Sequence, residues 1–482
     1  MMRLGLGFCC ALWLAGCGAK PPTTANSGPA IQAHSDESAS EKISLTVYNQ
    51  NFGLVREVRQ VALGKGKVEL AYADVSGHIQ PETVHIKSLS GENALEVLEQ
   101  NYRYDLLNPE TLLKKYVGKT VKVYRYNENT GQDEEKQAEL LSVEGGVVAK
   151  IDGQITSNFP GRFAFPEVPE NLVQKPTLVW LLASAAEKQR VEVTYLSQEL
   201  NWRADYVLTV DANDKLGELN GWVTLTNNTG TSYKNAELKL VAGDVQRLTR
   251  QLIDSEGKDE DEDGVPDAPR PQFKQEGLFE YHLYTLQRPT NLLDKEQKQV
   301  SLLSAQSIGL EKKLIFFGAA QYFRGNYGQV QKNQKVGVYL DIENSEQNHL
   351  GMPLPKGTLR VYKSDQSGQQ QFIGEDAIDH TPRDERIRVK LGEAFDVVGD
   401  RSETGWNAVS TCVSESSWEI ALRNHKDSAE RVLVVEPAGG DWEILSSSLP
   451  VTKKDSSTFT FDVSLAPRSE TKLTYRVRVR WC

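Results

Sequence analysis

Apolar and polar residues alternate with a period of two in many stretches of this chain. The clearest run is the last one, TYRVRVRWC at 474–482, where Val477, Val479 and Trp481 fall on one face and arginines on the other. Such alternation is typical of a β-strand that packs one face against a core. Similar runs rich in Val, Thr and Tyr occupy 42–50, 67–75, 119–127, 189–197, 203–211 and 221–229. The pattern predicts an all-β chain of several antiparallel units, with one short helix at 109–117.

Turn residues and breaks in the alternation divide these strands into units. We expect a small barrel-like domain and a C-terminal immunoglobulin-like β-sandwich, because the strands there are short and regularly spaced. The division is a lipoprotein signal peptide at 1–16, a lipidated flexible tether at 17–42, an N-terminal β unit at 43–104, the barrel-like domain at 105–174, part of a β-sandwich at 175–250, an acidic surface insertion at 251–277, a β-rich domain at 278–400 and the C-terminal sandwich at 405–482.

The first residues have the layout of an export signal. Arg3 precedes LGLGFCCALWLA at 4–15, an apolar run of about twelve residues, whereas a membrane-spanning helix needs roughly 20. The run ends in Leu-Ala-Gly-Cys, which resembles the bacterial lipobox, and this resemblance implies that Cys17 is lipidated and becomes the mature N-terminus. An ordinary signal peptide with a chance cysteine is the alternative. Gly18 follows the cysteine where aspartate would favour the inner membrane, so we expect the outer membrane, with the protein facing the periplasm.

The cysteines support an oxidising compartment. Cys9 and Cys10 belong to the expected signal peptide and Cys17 to the anchor, which leaves Cys412 and Cys482. A single remaining pair in an exported chain predicts a disulfide. Two separate buried thiols are the alternative.

The charge of the chain indicates which classes of partner it can bind. The chain has 55 Lys and Arg against 66 Asp and Glu, a formal net charge of −11, and no basic cluster stands out. Because binding to a phosphate backbone needs a clustered positive surface, we do not expect nucleic acid as a partner.

The acidic insertion contains one candidate metal motif, DEDEDGVPD at 259–267. Alternating carboxylates followed by a glycine resemble the calcium loops of the EF-hand and thrombospondin types. The candidate ligands are oxygens of Asp259, Asp261, Asp263, Val265 and Asp267. The twelfth position of the loop is Arg270 instead of an acid, so any calcium binding would be of low affinity. A solvated acidic linker is the alternative.

Several separated segments resemble one bacterial family. They are YNQNFGLVREVRQVAL, TYLSQELNWRADYVLTV, VAGDVQR, RNHKDSAERVLVVEP and LTYRVRVRWC, in this order along most of the chain after the tether. The family is known as domain of unknown function 4139 (DUF4139), and some members are labelled mucoidy inhibitors. The resemblance implies a β-rich fold and a role in the cell envelope, and it brings no catalytic residues.

No complete catalytic constellation is found, so we assign no catalytic residue. We expect a non-enzymatic structural or protein-interaction module whose partner is another envelope protein. The alternative is an envelope glycan-binding protein or a hydrolase of glycan or peptide. A glycan-binding protein should expose coplanar tryptophans, and the candidates are Trp180, Trp202, Trp222, Trp406, Trp418, Trp442 and Trp481. A hydrolase should bring acids with perturbed pKa values together in a cleft.

Overall fold

The computed structural model describes residues 30–482 except 129, 170, 244, 247–271 and 366. Strands make up 65% of the structure and helices 5%, so the predicted all-β class is confirmed. Most strand pairs are antiparallel. Within the described ranges, no helix is both long enough and apolar enough to cross a membrane.

The regular elements follow one another in chain order. The first part contains β1 (Ile31–Ser35), β2 (Ser40–Tyr48), β3 (Phe52–Ala62), β4 (Gly66–Ala73), β5 (His85–Ser88), β6 (Leu95–Arg103), α1 (Pro109–Lys115), β7 (Thr120–Asn127), β8 (Gln132–Ser142), β9 (Val148–Ile151), β10 (Gln154–Ser157) and β11 (Arg162–Ala164). The middle part contains β12 (Thr177–Ser184), β13 (Lys188–Gln198), β14 (Leu200–Val210), β15 (Leu216–Asn227), β16 (Tyr233–Ala242), β17 (Phe273–Leu278), β18 (Tyr281–Leu286), β19 (Thr290–Leu292), β20 (Glu296–Phe317) and β21 (Gln329–Glu343). The last part contains β22 (Gly357–Ser364), β23 (Gln370–Ile378), β24 (Arg386–Ser410), β25 (Val413–Asn424), β26 (Glu430–Pro437), β27 (Asp441–Ser447), β28 (Val451–Lys453), β29 (Thr458–Leu465) and β30 (Ser469–Arg480). Short 3-10 helices lie at Glu37–Ala39, Pro81–Thr83, Ala320–Arg324 and Glu346–Asn348.

Two sheets build the N-terminal part of the molecule. One has the order β1-β4-β12-β6, and the other has the order β17-β18-β16-β2-β3-β13-β5, with β19 attached to β16. Their facing side chains share one core, in which Leu178, Trp180 and Leu182 of β12 are fully buried. Strands β12, β13 and β16 pair with β4, β3 and β2. The units expected to be separate, at 43–104 and 175–250, are therefore interleaved. The sequence did not predict this, because pairing between distant strands does not alter the local alternation of apolar and polar residues.

The start of the described chain is more ordered than expected. The tether was expected to reach residue 42, but Ile31–Ser35 forms β1 and pairs in parallel with β4, and β2 begins at Ser40. Backbone hydrogen bonds hold β1, and the Arg59 guanidinium donates a further one to the Ser35 carbonyl oxygen at 3.2 Å. An edge strand of this kind needs few apolar side chains, so its polar composition concealed it.

The expected barrel at 105–174 is an open sheet. Five strands lie in the order β10-β9-β8-β7-β11, and the first and last do not pair with each other. Helix α1 begins where Pro109 predicts it. Asn108 caps the helix, since its Oδ1 accepts from the Thr111 backbone N–H at 2.9 Å and Thr111 Oγ1 accepts from the Asn108 N–H at 3.1 Å. The unit has its own small core around Val123 and Leu140.

The remaining strands form the largest sheet, and its C-terminal part folds into two layers. Its main path is β23-β22-β14-β15-β20-β21-β24-β25-β30-β27, while β26, β29 and β28 pair in a branch that joins at β20. Phe459 and Phe461 of β29 pack against Tyr475 of β30, with ring centroids 5.6 and 5.1 Å apart. Val477 and Val479 are buried, and Arg476, Arg478 and Arg480, which alternate with them, are exposed, as the alternation predicts.

The C-terminal layers extend further than the expected boundary at 405. Their core includes Leu314 and Phe316 of β20 and Val336 of β21. The expected boundary between 400 and 405 falls inside β24, which runs for 25 residues through both parts of the large sheet. Long strands shared by neighbouring units cannot be recognised from turn spacing, which is why the boundary was misplaced.

Candidate interaction surface

The structure joins Cys412 and Cys482 in a disulfide. Cys412 directly precedes β25 and Cys482 closely follows β30. Because Val413 lies opposite Arg480 in the paired strands, the two cysteines meet at the same end of the sheet. Their Cα atoms are 5.4 Å apart, and the bond closes a sequence separation of 70 residues. The disulfide fits an oxidising compartment, in agreement with the predicted export signal.

The other predicted site residues lie outside the described part of the chain. These are the anchor Cys17 and the calcium candidates Asp259, Asp261, Asp263, Val265 and Asp267. Lipidation and calcium binding therefore stay predictions. Among the residues that the structure does describe, no group of three His, Cys, Asp or Glu side chains could hold a metal ion.

Most of the tryptophans fill cores. Trp180, Trp202 and Trp418 are fully buried, and Trp442 and Trp481 pack against the C-terminal core. Trp222 is 40% exposed, on β15 of the large sheet, and Trp406 on β24 is partly buried. These positions fit the usual use of tryptophan in packed sheets and do not place two exposed tryptophans side by side.

Among the residues that the structure describes, the most exposed aromatic side chain lies at the tip of the β17–β18 hairpin. Phe279 is 92% exposed, and Leu278 beside it is 43% exposed. Leu278 pairs with Tyr281, so Phe279 and Glu280 form a two-residue turn. The φ angle of Phe279 is 58°, in the left-handed region that a bulky residue adopts at a cost of roughly 1–2 kcal/mol. We call residues 277–281 the hairpin tip.

The base of this hairpin is firmly held. Phe273, Tyr284 and Leu286 are buried in the N-terminal core, and the Tyr284 hydroxyl donates to the Pro353 carbonyl oxygen at 2.9 Å. Between the two strands, Gln275 Nε2 and His282 Nδ1 are 2.8 Å apart, within hydrogen-bond distance. Burial lowers the pKa of His282, which favours the neutral ring. A stiff base therefore presents an exposed apolar tip.

The hairpin tip and the start of the described chain lie at opposite ends of the N-terminal sheets. Val241 of β16 pairs with Tyr48, and Ala242 pairs with His282, so the tip lies at the end of the sheet where β2 turns into β3. β3 runs from this end over 11 residues, or about 35 Å at the usual rise of a strand. At its far end, a Cβ added to Gly64 would lie 2.9 Å from Ile31 Cδ1, which places the start of β1 there.

One ion pair is fully buried in the C-terminal core. The Arg401 guanidinium and the Glu436 carboxylate are 2.5 Å apart, and both side chains have 0% exposure. Arg401 lies over the Phe316 and Tyr322 rings at 5.1 and 5.5 Å. Burial raises the pKa of Glu436 even though Arg401 opposes the shift. A Cβ on Gly318 would overlap the carboxylate, so glycine is required there. Since both side chains are fully buried, we expect the loss of either one to affect stability.

Sequence reasoning missed the hairpin tip. The turn carries Phe-Glu in place of the usual glycine or asparagine, so the local pattern does not indicate a hairpin. The available signal is GLFEYHLY at 277–284, where apolar residues continue through a stretch that must reverse direction.

Compared with known proteins, the chain matches no family model and no curated protein. The resemblance to domain of unknown function 4139 therefore stays a prediction.

Proposed function

We propose that this protein is a lipid-anchored, non-enzymatic interaction module of the cell envelope. In this proposal Cys17 carries the lipid on the periplasmic face of the outer membrane. The hairpin tip binds another envelope protein that offers an apolar socket. The lipobox-like signal supports the anchor, and the Cys412–Cys482 disulfide fits the oxidising compartment that the signal implies.

The conformation of Phe279 is the observation that carries the proposal. An aromatic side chain that is 92% exposed contributes little burial to the fold, and its positive φ costs free energy. Glycine would fill the first position of this turn without strain. Strained residues cluster at functional sites, so a bulky residue with a positive φ motivates a functional hypothesis. Aromatic side chains are common anchors of protein interfaces, because they bury a large apolar area at low entropic cost.

The position of the tip also suits a tethered module. β1 begins about 35 Å from the hairpin tip, since the two lie at opposite ends of β3. A chain that is anchored upstream of β1 can therefore present the tip away from its own membrane. This arrangement favours a protein partner over the lipid surface that holds the anchor.

Photocrosslinking in living cells tests the proposal. A photoreactive amino acid replaces Glu280, which is exposed at the tip, in the otherwise intact chain. We expect one discrete protein adduct from this position. The matched control places the same amino acid at Phe372, an exposed aromatic position on β23. Adducts of the same size and yield from both positions, or none from Glu280, would refute the role of the tip, and an adduct with lipid would indicate membrane insertion instead.

A further inference from the structure

In the described part of the chain, the large sheet narrows between the two cores. Strands β20, β21 and β24 contribute buried side chains to both the N-terminal and the C-terminal core. On β20, pairing with β15 ends at Gly309 and pairing with β26 begins at Leu314. On β24, β23 packs beside Leu391, and pairing with β25 begins at Val397. We call the stretch between these limits the waist, which comprises residues 310–313, 337–342 and 392–396.

Backbone hydrogen bonds mark both limits of the waist. The Leu310 N–H donates to the Lys215 carbonyl oxygen at 2.8 Å, on the side of the N-terminal core. The His425 N–H donates to the Asp396 carbonyl oxygen at 2.7 Å, on the side of the C-terminal core. The waist therefore begins and ends at fixed points of the two parts that it connects.

Charged and small residues interrupt the apolar packing at the waist. On β20, Lys312 lies between Leu310, which packs against the N-terminal core, and Leu314 of the C-terminal core. The corresponding positions of β24 are Gly392 and Glu393. Lys312, Gly392 and Glu393 all line one pocket with a volume of about 250 Å³. The two cores are therefore separate, and a pocket lies where they would otherwise share packing.

The ion pairs of the pocket hold its N-terminal side. Lys312 Nζ lies 2.9 Å from Asp214 Oδ2, and Lys363 binds the same carboxylate. Burial opposes the ionisation of Asp214, but the hydrogen bonds from both lysines lower its pKa. Glu393 and Lys335 are 3.9 Å apart, and their side chains are 49% and 62% exposed. Because exposed pairs contribute little, the Glu393–Lys335 pair does not stiffen the waist.

The pairing of β21 with β24 is irregular in the waist. β24 advances from Lys390 to Gly392 opposite a single step of β21, and from Glu393 to Val398 opposite two steps. Such bulges bend a strand and increase its local twist. Gly392 has a φ angle of 148°, and a Cβ added there would meet no atom within 4 Å. Phe395, on the larger bulge, is 90% exposed.

We propose that the waist is a hinge about which the C-terminal sandwich turns relative to the N-terminal part. Bending a closely packed core would push side chains into one another, because protein interiors have few voids. At the waist, opening or closing of the pocket accommodates the rotation. Hinges are a few residues that absorb a change in backbone angles, and the bulges around Gly392 supply them. The hinge changes the orientation of the hairpin tip relative to the C-terminal sandwich, and it does not depend on any role of the tip.

Double electron–electron resonance on the whole protein in detergent tests the hinge. Spin labels on unnatural amino acids leave every cysteine unchanged. One pair of labels spans the waist, at Glu218 on β15 and Val409 on β24, which are both exposed. Val409 lies 13 residues beyond Asp396, or roughly 40 Å along the strand. A rotation of about 15° at the waist would move this label by roughly 10 Å.

A control pair lies within the N-terminal part. It joins Glu218 to Gln297, which is exposed on the part of β20 that pairs with β15. We expect the distance distribution of the spanning pair to be wider than that of the control pair by roughly 10 Å. A spanning pair with a distribution as narrow as the control would overturn the proposal.

Two glycine variants test the location of the hinge. Gly392→Ala restricts φ in the waist, so the spanning distribution should become narrower. Gly368→Ala is the matched control, because Gly368 also has a positive φ and open space but lies between β22 and β23. We expect it to leave the distribution unchanged, and equal widths in the two variants would overturn the assignment of the hinge to the waist. Thermal melting shows whether each variant is folded.

Hydrogen exchange of the unaltered protein gives an independent test should Gly392→Ala fail to fold. Amides of residues 310–313 and 392–396 should exchange faster than those of the flanking parts of β20 and β24, because the waist opens by itself. Equal protection of the waist and its flanks would refute the hinge.

Discussion

Replacing Arg401 by methionine should destabilise the protein in a strongly pH-dependent way. The substitution keeps an unbranched apolar stem but leaves the Glu436 carboxylate without its cation, and both side chains are fully buried. Breaking a buried pair from one side costs about 3–5 kcal/mol. The Phe316 and Tyr322 rings lie beside the guanidinium, and neither ring can replace its positive charge.

The pH dependence follows from the direction of the pKa shift. Burial already raises the pKa of Glu436 in the intact pair, and loss of Arg401 removes the main opposing interaction. The pKa in the unfolded chain is about 4.3. A carboxyl whose folded pKa is raised destabilises the fold increasingly as the pH rises from the unfolded value to the folded value, by about 1.4 kcal/mol for each pH unit. Because the pKa of Glu436 is already raised in the intact pair, the cost of Arg401→Met relative to wild type grows only between the two folded pKa values, so it should be smaller at pH 5 than at pH 8.

Urea unfolding at both pH values measures this cost. The double variant Arg401→Met with Glu436→Leu removes both charges, and we expect it to recover most of the lost stability at pH 8. An equal loss for the single variant at pH 5 and pH 8 would refute the reasoning, as would a double variant no more stable than the single one. An unchanged slope of the unfolding free energy against urea concentration would show that the variants expose the same surface area on unfolding as the wild type.

Three further predictions concern the disulfide, the anchor and the acidic insertion. Replacing both Cys412 and Cys482 by serine should lower the free energy of unfolding by up to about 4 kcal/mol, the chain-entropy estimate for a 70-residue loop; urea unfolding checks this, and an unaltered midpoint would show that the bond contributes nothing. Cys17→Ser should move the protein from the membrane fraction to the soluble periplasmic fraction, because the lipid is its expected anchor; unchanged fractionation would contradict the lipoprotein assignment. Millimolar calcium should protect the segment 259–267 from limited proteolysis if its carboxylates bind the ion; identical cleavage with and without calcium would leave it an acidic linker.

Local patterns predicted the strands well, because alternation directly reflects which face a strand buries. Segments 42–50, 189–197 and 203–211 correspond to β2, β13 and β14 within a few residues. β1 was missed because backbone hydrogen bonds to β4 hold it and its short sequence carries few apolar side chains.

Pairing between distant strands was not predictable from the same patterns. β12 lies between β4 and β6, although α1 and β7–β11 separate it from them in sequence. The open sheet at 105–174 and the long strand β24 were misjudged for this reason, since turn spacing does not show whether a sheet closes or where a strand is shared.

The candidate surfaces depend on features that a single sequence does not display. The hairpin tip is recognisable only when the φ angle and exposure of Phe279 are known together. The turn after β14 and strands β20 and β22 bring Asp214, Lys312 and Lys363 together, although these residues are far apart in sequence. The disulfide, by contrast, was predictable, because Cys412 and Cys482 were the only cysteines outside the expected signal peptide and anchor.

A paired measurement on Phe279→Gly tests the central claim most directly. Glycine relieves the positive φ and removes the exposed ring, so the melting temperature of the variant should equal or exceed that of the wild type. In the same variant, the protein adduct formed by the photoreactive residue at position 280 should be lost. The account predicts retained stability with a lost adduct. A lower melting temperature together with an unchanged adduct would contradict it, because Phe279 would then serve the fold and not a partner.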